Sequence, residues 1–204
     1  MLKDIFIALC APYSKDKNLI ETCWSEIEKN YSSKNRHYHN LKHLEELFKQ
    51  LAAVKREILD WDTILFSLFY HDVIYDVLHN DNETNSAKYA AKRLAKLGYP
   101  ADKIEQCIAQ IEATKTHART ANQDINLFLD ADLASLGKDE NGYLEYTKQI
   151  RKEYSYYPDF VYNPGRKKVL KHFLDMFSIY KTDYFIDLYE EQARINIEEE
   201  FLNL

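Results

Sequence analysis

The sequence predicts an all-α fold, organised as a single helical domain of about eight helices over residues 1–204. Only four Gly and four Pro occur, so few positions force the chain to turn. Apolar residues recur at helical intervals, as in Leu41, Leu44, Leu47 and Leu51. No segment shows the alternation of apolar and polar residues that is typical of a strand. The length and the hydrophobic fraction of 46% fit one globular domain with a buried core.

Capping and breaking residues predict where these helices begin and end. Asn18 can cap the first predicted helix, and further helices begin near Asn40 and Asp81. Gly98 followed by Pro100 is a typical C-terminal signal. We expect turns at Asn163-Pro164-Gly165. The predicted helices cover residues 18–31, 40–51, 61 to 76–79, 81–98, 101–115, 124–137, 139–154, 166–180 and 184–202. The chemistry-bearing motifs lie within residues 36–137, and C-terminal helices follow over 139–204.

Composition excludes several classes of protein. The formal net charge of −6 disfavours binding to a nucleic-acid polymer, because phosphate contact needs a basic surface. No apolar run approaches the ~18 residues of a membrane span, and the first residues lack a secretory leader. Three cysteines without CxxC spacing are expected to be buried free thiols. We therefore expect a cytoplasmic protein without a membrane segment.

The most informative feature is a dipeptide, His71-Asp72, directly after a strongly apolar segment. A buried histidine and aspartate need partners or a ligand, and imidazole together with carboxylate suits Mn, Fe, Zn, Co or Ni. Other histidines and aspartates that can join them lie in three segments of the chain, residues 36–43, 114–117 and 130–133.

The order His, His-Asp, Asp on a helical chain resembles the HD-domain superfamily of metal-dependent phosphohydrolases. Several short phrases also resemble a bacterial branch of predicted phosphohydrolases in that superfamily. They lie at residues 36–44, 70–76, 81–83, 113–117, 151–154, 165–166 and 193–196, and cover most of 36–200.

The resemblance implies a ligand set of His43, His71, Asp72 and Asp132. The first histidine falls on His43 or His39, and the apolar spacing after His43 favours it. The last aspartate falls on Asp132 or Asp130, and the sequence Ala-Asp-Leu followed by Leu-Gly favours Asp132. The implied cofactor is one divalent transition metal (Mn, Fe, Ni, Co or Zn), and a second metal or Mg is left open.

The implied activity is hydrolysis of a phosphoester or phosphoanhydride in a small phosphorylated compound, first of all a nucleotide. Asp76, His117 and Glu83 are the candidate catalytic residues. The candidate substrate contacts are His39 and the cationic residues Arg36, Lys115, Arg151, Arg166 and Arg194. The alternatives are a non-catalytic HD module that binds metal and nucleotide, and a helical interaction protein without metal. We expect a monomer or a homodimer.

Overall fold

The computed structural model describes residues Met1–Leu204 and consists of ten α-helices without a strand. The all-α prediction is confirmed, with ten helices where about eight were expected, and the helix at Leu2–Cys10 lies outside the predicted ranges. The helices are α1 (Leu2–Cys10), α2 (Lys17–Tyr31), α3 (Leu41–Ala53), α4 (Trp61–Tyr70), α5 (Asn82–Leu97), α6 (Ala101–Ala113), α7 (Gln123–Asp132), α8 (Glu140–Glu153), α9 (Asp159–Leu174) and α10 (Asp183–Asn203). Short 3-10 helices cover Lys55–Glu57 and Leu133–Gly137.

Local capping signals place most helix ends correctly. The Asn40 side chain accepts a hydrogen bond from the Lys42 amide at the start of α3, and Gly98 ends α5 in the left-handed conformation with φ 80°. Several ends differ from prediction, and α9 covers Asp159–Leu174 in place of the predicted 166–180. Asp16, rather than Asn18, caps α2 by accepting from the Leu19 amide. Helix α4 ends at Tyr70, before the predicted 76–79.

The turn predicted at residues 163–165 is wrong, because α9 runs through Pro164. The proline ring removes an amide that would donate to the Phe160 carbonyl, which costs one helical bond. Buried side chains at Tyr162, Arg166 and Leu170 repeat at intervals of four and hold one face of α9 against its neighbours. Tertiary packing therefore outweighs the local breaking signal.

The chain divides into two compact units, Met1–Leu129 and Asp130–Leu204, with the boundary inside α7. In the first unit α4 is the central helix, and its residues from Thr63 to Tyr70 are all buried. It packs against α1, α3, α5 and α6. This enclosure explains the nearly unbroken apolar sequence of α4, because a helix surrounded on all sides has no polar face. The expected single domain over 1–204 stays a prediction.

In the second unit α10 packs against α9 and the 3-10 helix Leu133–Gly137. The Asn196 side chain donates hydrogen bonds to the carbonyls of Leu136 and Lys138. Gly137 permits the close approach, since a Cβ atom there would lie 2.5 Å from the Tyr189 Cβ. These contacts fix the unit around the C-terminal helix.

All three cysteines are buried and free, as predicted. Burial raises the pKa of Cys10 and of Cys107 to about 12, so neither thiol ionises near neutral pH. None of the ten helices combines the length and the apolar character required to cross a membrane.

Candidate metal centre

Two chain segments of the first unit bring histidines together. His43 is the third residue of α3 and points inward, with 6% of its surface exposed. His71 directly follows the buried helix α4 and is 1% exposed. Both imidazoles are therefore withdrawn from water, which is costly unless their nitrogens find partners or a ligand.

The His71 ring is oriented by the backbone of its own helix. Its Nδ1 lies 3.0 Å from the Leu68 carbonyl oxygen. Because a carbonyl only accepts, the proton at this contact lies on Nδ1, and in the neutral tautomer with that proton the lone pair lies at Nε2. This is the arrangement that orients metal-binding histidines, with one ring nitrogen donating to a carbonyl and the other free to ligate.

Two further groups converge on His71 Nε2. His43 Nε2 lies 3.2 Å from it, and Asp72 Oδ2 also lies 3.2 Å from it. Ligand atoms about 2.0–2.1 Å from one metal ion are separated from each other by roughly 2.8–3.4 Å in octahedral or tetrahedral geometry. The spacing of these nitrogen and oxygen atoms thus fits a shared first coordination sphere.

Helix α7 supplies the carboxylate of Asp132. Asp124 anchors the start of α7 by accepting from the amides of Leu59 and Asp60, and the Phe128 ring meets the His71 ring edge to face at 5.7 Å. Asp132 lies one helical turn after Phe128, on the same side of the helix.

His43, His71 and Asp132 form a group that can hold a metal ion, with one ligand atom from each within 4.8 Å of the others. Two imidazoles and a carboxylate suit a divalent transition metal. Asp72 is not part of this group, and its role as a fourth ligand stays a prediction.

Asp130 has a structural position instead. It is fully buried, and its carboxylate accepts hydrogen bonds from the Lys181 amide and from the amide and hydroxyl of Thr182. The Lys181 ammonium lies 3.6 Å away. These interactions satisfy the carboxylate within the second unit, which favours Asp132 over Asp130 as the ligand.

His39 lies beside the histidine pair. Its ring centroid is 5.8 Å from that of His43 and 4.3 Å from that of Tyr75. Its Nε2 is 3.9 Å from Asp72 Oδ2. His39 therefore neighbours the candidate centre without belonging to the His43, His71 and Asp132 group.

The three candidate catalytic residues occupy different local settings. Asp76 is exposed and accepts from the Leu78 amide in the loop after α4. Glu83 lies in the first turn of α5, where a carboxylate favours the helix dipole. His117 has a positive φ of 49° after the end of α6. These positions alone assign neither a catalytic nor a metal-binding role to the three residues.

Three of the predicted cationic substrate contacts, Arg151, Arg166 and Arg194, are engaged in contacts within the second unit. Arg151 binds Asp159 and the carbonyls of Tyr154 and Tyr157. Arg166 is buried and forms a two-pronged ion pair with Glu200.

Arg194 binds Glu190 and the carbonyls of Met176 and Phe177. Each of the three arginines thus holds parts of the second unit together. In the first unit, Lys115 donates only to the Asn80 carbonyl.

Sequence reasoning missed the residues that support the site. Tyr31 accepts a hydrogen bond from the Asp72 amide, although its spacing after Ile27 indicates only a core position. The contact from His71 to the Leu68 carbonyl could not be predicted from residue types, because every residue has a backbone carbonyl. Phe128 likewise resembles an ordinary core residue of α7.

Comparison with models of protein families, with curated proteins and with solved structures found no match to this chain.

Proposed function

We propose that this protein is a metal-dependent phosphohydrolase of the HD type that acts on a small phosphorylated compound, first of all a nucleotide. The observation that supports it most is the convergence of His43 Nε2 and Asp72 Oδ2 on His71 Nε2, each at 3.2 Å. The order of these residues along the chain is the one that resembles the HD-domain superfamily.

The donor set fits a divalent transition metal such as Mn, Fe, Ni, Co or Zn. His43, His71 and Asp132 would hold the ion, with Asp72 as the fourth protein ligand. A bound ion of this kind lowers the pKa of water and neutralises charge on a phosphoryl oxygen.

The chain's own residues supply the remaining functions. The Leu68 carbonyl keeps the His71 proton on Nδ1, so that Nε2 stays available. His117 and Asp76 are the proposed proton-relay groups, and Glu83 is a third candidate. Lys115 is the proposed phosphate contact, because its Nζ donates to the neutral Asn80 carbonyl and forms no ion pair.

The metal assignment is tested by elemental analysis of the purified protein. We expect close to one equivalent of a transition metal in the wild type and loss of that metal in His71→Ala. The matched control is His172→Ala, because His172 is an exposed histidine on α9 of the second unit. A folded wild-type protein that takes up none of these ions contradicts the proposal.

The activity is tested by a screen of phosphorylated compounds with Mn, Co, Ni or Mg. Turnover that disappears in Asp72→Ala but persists in His172→Ala supports a phosphohydrolase. Metal binding without turnover of any compound would instead support the non-catalytic module that binds metal and nucleotide.

We place the protein in the cytosol, since three buried free thiols are typical of a reducing compartment. Sedimentation of the purified protein will decide between the monomer and the homodimer expected from the sequence.

A further inference from the structure

Arg36 makes an unusual set of contacts for an arginine expected at a substrate site. Its side chain is largely buried, with 9% of its surface exposed. One terminal nitrogen donates to the carbonyls of His39 at 3.2 Å and Asp72 at 2.6 Å. The other donates to the Val73 carbonyl at 3.1 Å. The three acceptors are backbone oxygens, so all three contacts are independent of those residues' side chains.

These three carbonyls belong to the two segments that carry the histidines. The His39 carbonyl lies in the loop that leads into α3 and His43. The carbonyls of Asp72 and Val73 lie just past the end of α4, outside its ladder of helical hydrogen bonds. A cation is also favoured at this end of a helix by its dipole. One guanidinium therefore joins both ligand-bearing segments.

Two aromatic rings keep this guanidinium in place. Its carbon lies 4.9 Å from the centroid of the Tyr31 ring and 5.3 Å from that of Tyr75. Tyr31 also accepts the Asp72 amide through its hydroxyl at 3.1 Å, and the Tyr75 ring contacts that of His39. These two cation–π contacts restrict the orientation of the guanidinium.

We infer that Arg36 is a positioning residue of the metal centre, which sets the separation of His43 from His71 and Asp72, and is not a substrate contact. This inference rests on the proposed metal site. Three of the five N–H donors of Arg36 are committed to backbone carbonyls, and only 9% of its surface is exposed, which opposes a role in binding phosphate. Only a planar fork with several donors can reach all three acceptors, so lysine is not an equivalent replacement.

The test compares Arg36→Met and Arg36→Lys with Arg93→Met. Arg93 is a suitable control, because it also lies over a tyrosine ring, that of Tyr89, and forms a two-pronged bond with Glu26. Metal-free proteins are titrated with Co²⁺ and followed by visible absorbance, and urea midpoints are measured in parallel. Affinities are compared under conditions in which every variant is fully folded.

We expect Arg36→Met to bind Co²⁺ about 10- to 100-fold more weakly, as for other groups that orient ligands. Arg36→Lys should lie between that variant and the wild type, and Arg93→Met should match the wild type. A visible spectrum altered in Arg36→Lys would report a changed ligand geometry that general destabilisation does not produce.

Three outcomes overturn the inference. Unchanged Co²⁺ affinity in Arg36→Met, with a raised KM for a phosphorylated substrate, would make Arg36 a substrate contact. An equal loss of affinity in Arg93→Met would reduce the effect to destabilisation. A wild-type protein without Co²⁺ binding would overturn the proposed function together with this inference. If Arg36→Met does not fold, wild-type affinity and spectrum in Arg36→Lys overturn the inference, and the intermediate affinity supports it.

Discussion

At the residue scale, the Leu68 carbonyl fixes the orientation of the His71 ring. Because Nδ1 is committed to Leu68, the two imidazoles face each other through their Nε2 atoms at 3.2 Å. Without an ion, one of these nitrogens must donate to the other. With an ion, both lone pairs point to the same place. Both imidazoles therefore direct Nε2 towards one shared position.

The ambiguous ligand pairs give the first prediction. His43→Ala should lower metal content more than His39→Ala, because His39 lies outside the group of converging ligand atoms. Asp132→Asn should lower it more than Asp130→Asn for the same reason. Metal content by elemental analysis measures both differences.

The free energy of unfolding is a second measure that distinguishes Asp130 from Asp132. Asp130→Asn weakens buried hydrogen bonds to Lys181 and Thr182, and we expect it to cost about 1–3 kcal/mol of unfolding free energy. Asp132→Asn should cost less in the absence of metal. The reverse order in metal content would reassign the ligands to His39 or Asp130.

The Glu26–Arg93 ion pair predicts a dependence of stability on pH. Hydrogen bonds from Arg93 hold the pKa of Glu26 below its ordinary value, although partial burial opposes this. The pair's contribution is therefore fully present above the ordinary carboxyl pKa and is lost as pH falls through the lowered folded-state pKa. We expect Glu26→Gln to cost about 1 kcal/mol near neutral pH and to approach the wild type as the pH falls through the lowered folded-state pKa of Glu26.

Urea unfolding at several pH values measures this effect. Asp175→Asn is the control, because it removes an exposed pair with Lys171 and should change stability little at any pH. A Glu26→Gln deficit that stays constant from neutral to acid pH would contradict the assigned cause.

At the element scale, helix ends carry the structural information that matters for the site. The end of α4 places His71 and Asp72, and Asn40 starts α3 three residues before His43. Gly98 ends α5 in a left-handed conformation that other residues adopt only with strain. A Cβ atom there would also lie 3.2 Å from the Tyr13 carbonyl oxygen.

Two glycine substitutions test this distinction between a helix end and a helix interior. Gly98→Ala should destabilise the protein by about 1 kcal/mol or more, because alanine is strained at this φ. Gly165→Ala is the control, because Gly165 lies inside α9 and a Cβ atom added there would have no atom within 4 Å. It should stabilise by about 0.5–1 kcal/mol. Thermal unfolding that ranks the two variants the other way would contradict both assignments.

At the scale of the whole molecule, two compact units share the continuous helix α7. Both tryptophans, Trp24 and Trp61, belong to Met1–Leu129, so tryptophan fluorescence reports on the first unit alone. Helical circular dichroism reports on both units. If residues 1–204 form one domain, the two signals should change at the same urea midpoint, because melting of either unit would interrupt α7. Separate midpoints would show that the units unfold independently.

The sequence by itself determined the fold class, most helix ends and the order of the candidate ligands. Helix formation and capping depend on residues within a few positions of each other, so Asn40 and Gly98 are informative without any knowledge of the fold. The same holds for the apolar helix before His71, since its composition already requires burial.

Only the tertiary structure decided which polar side chains are committed to structural contacts. Arg36, Arg166 and Arg194 are alike in sequence as candidate phosphate contacts, yet their partners lie 3–37 positions away along the chain. The path of α9 through Pro164 and the selection of the His71 tautomer also depend on packing and on backbone carbonyls. Such partners are set by the folded backbone, because hydrogen bonding is directional and short-ranged, whereas residue types along the chain record only what each side chain can donate or accept.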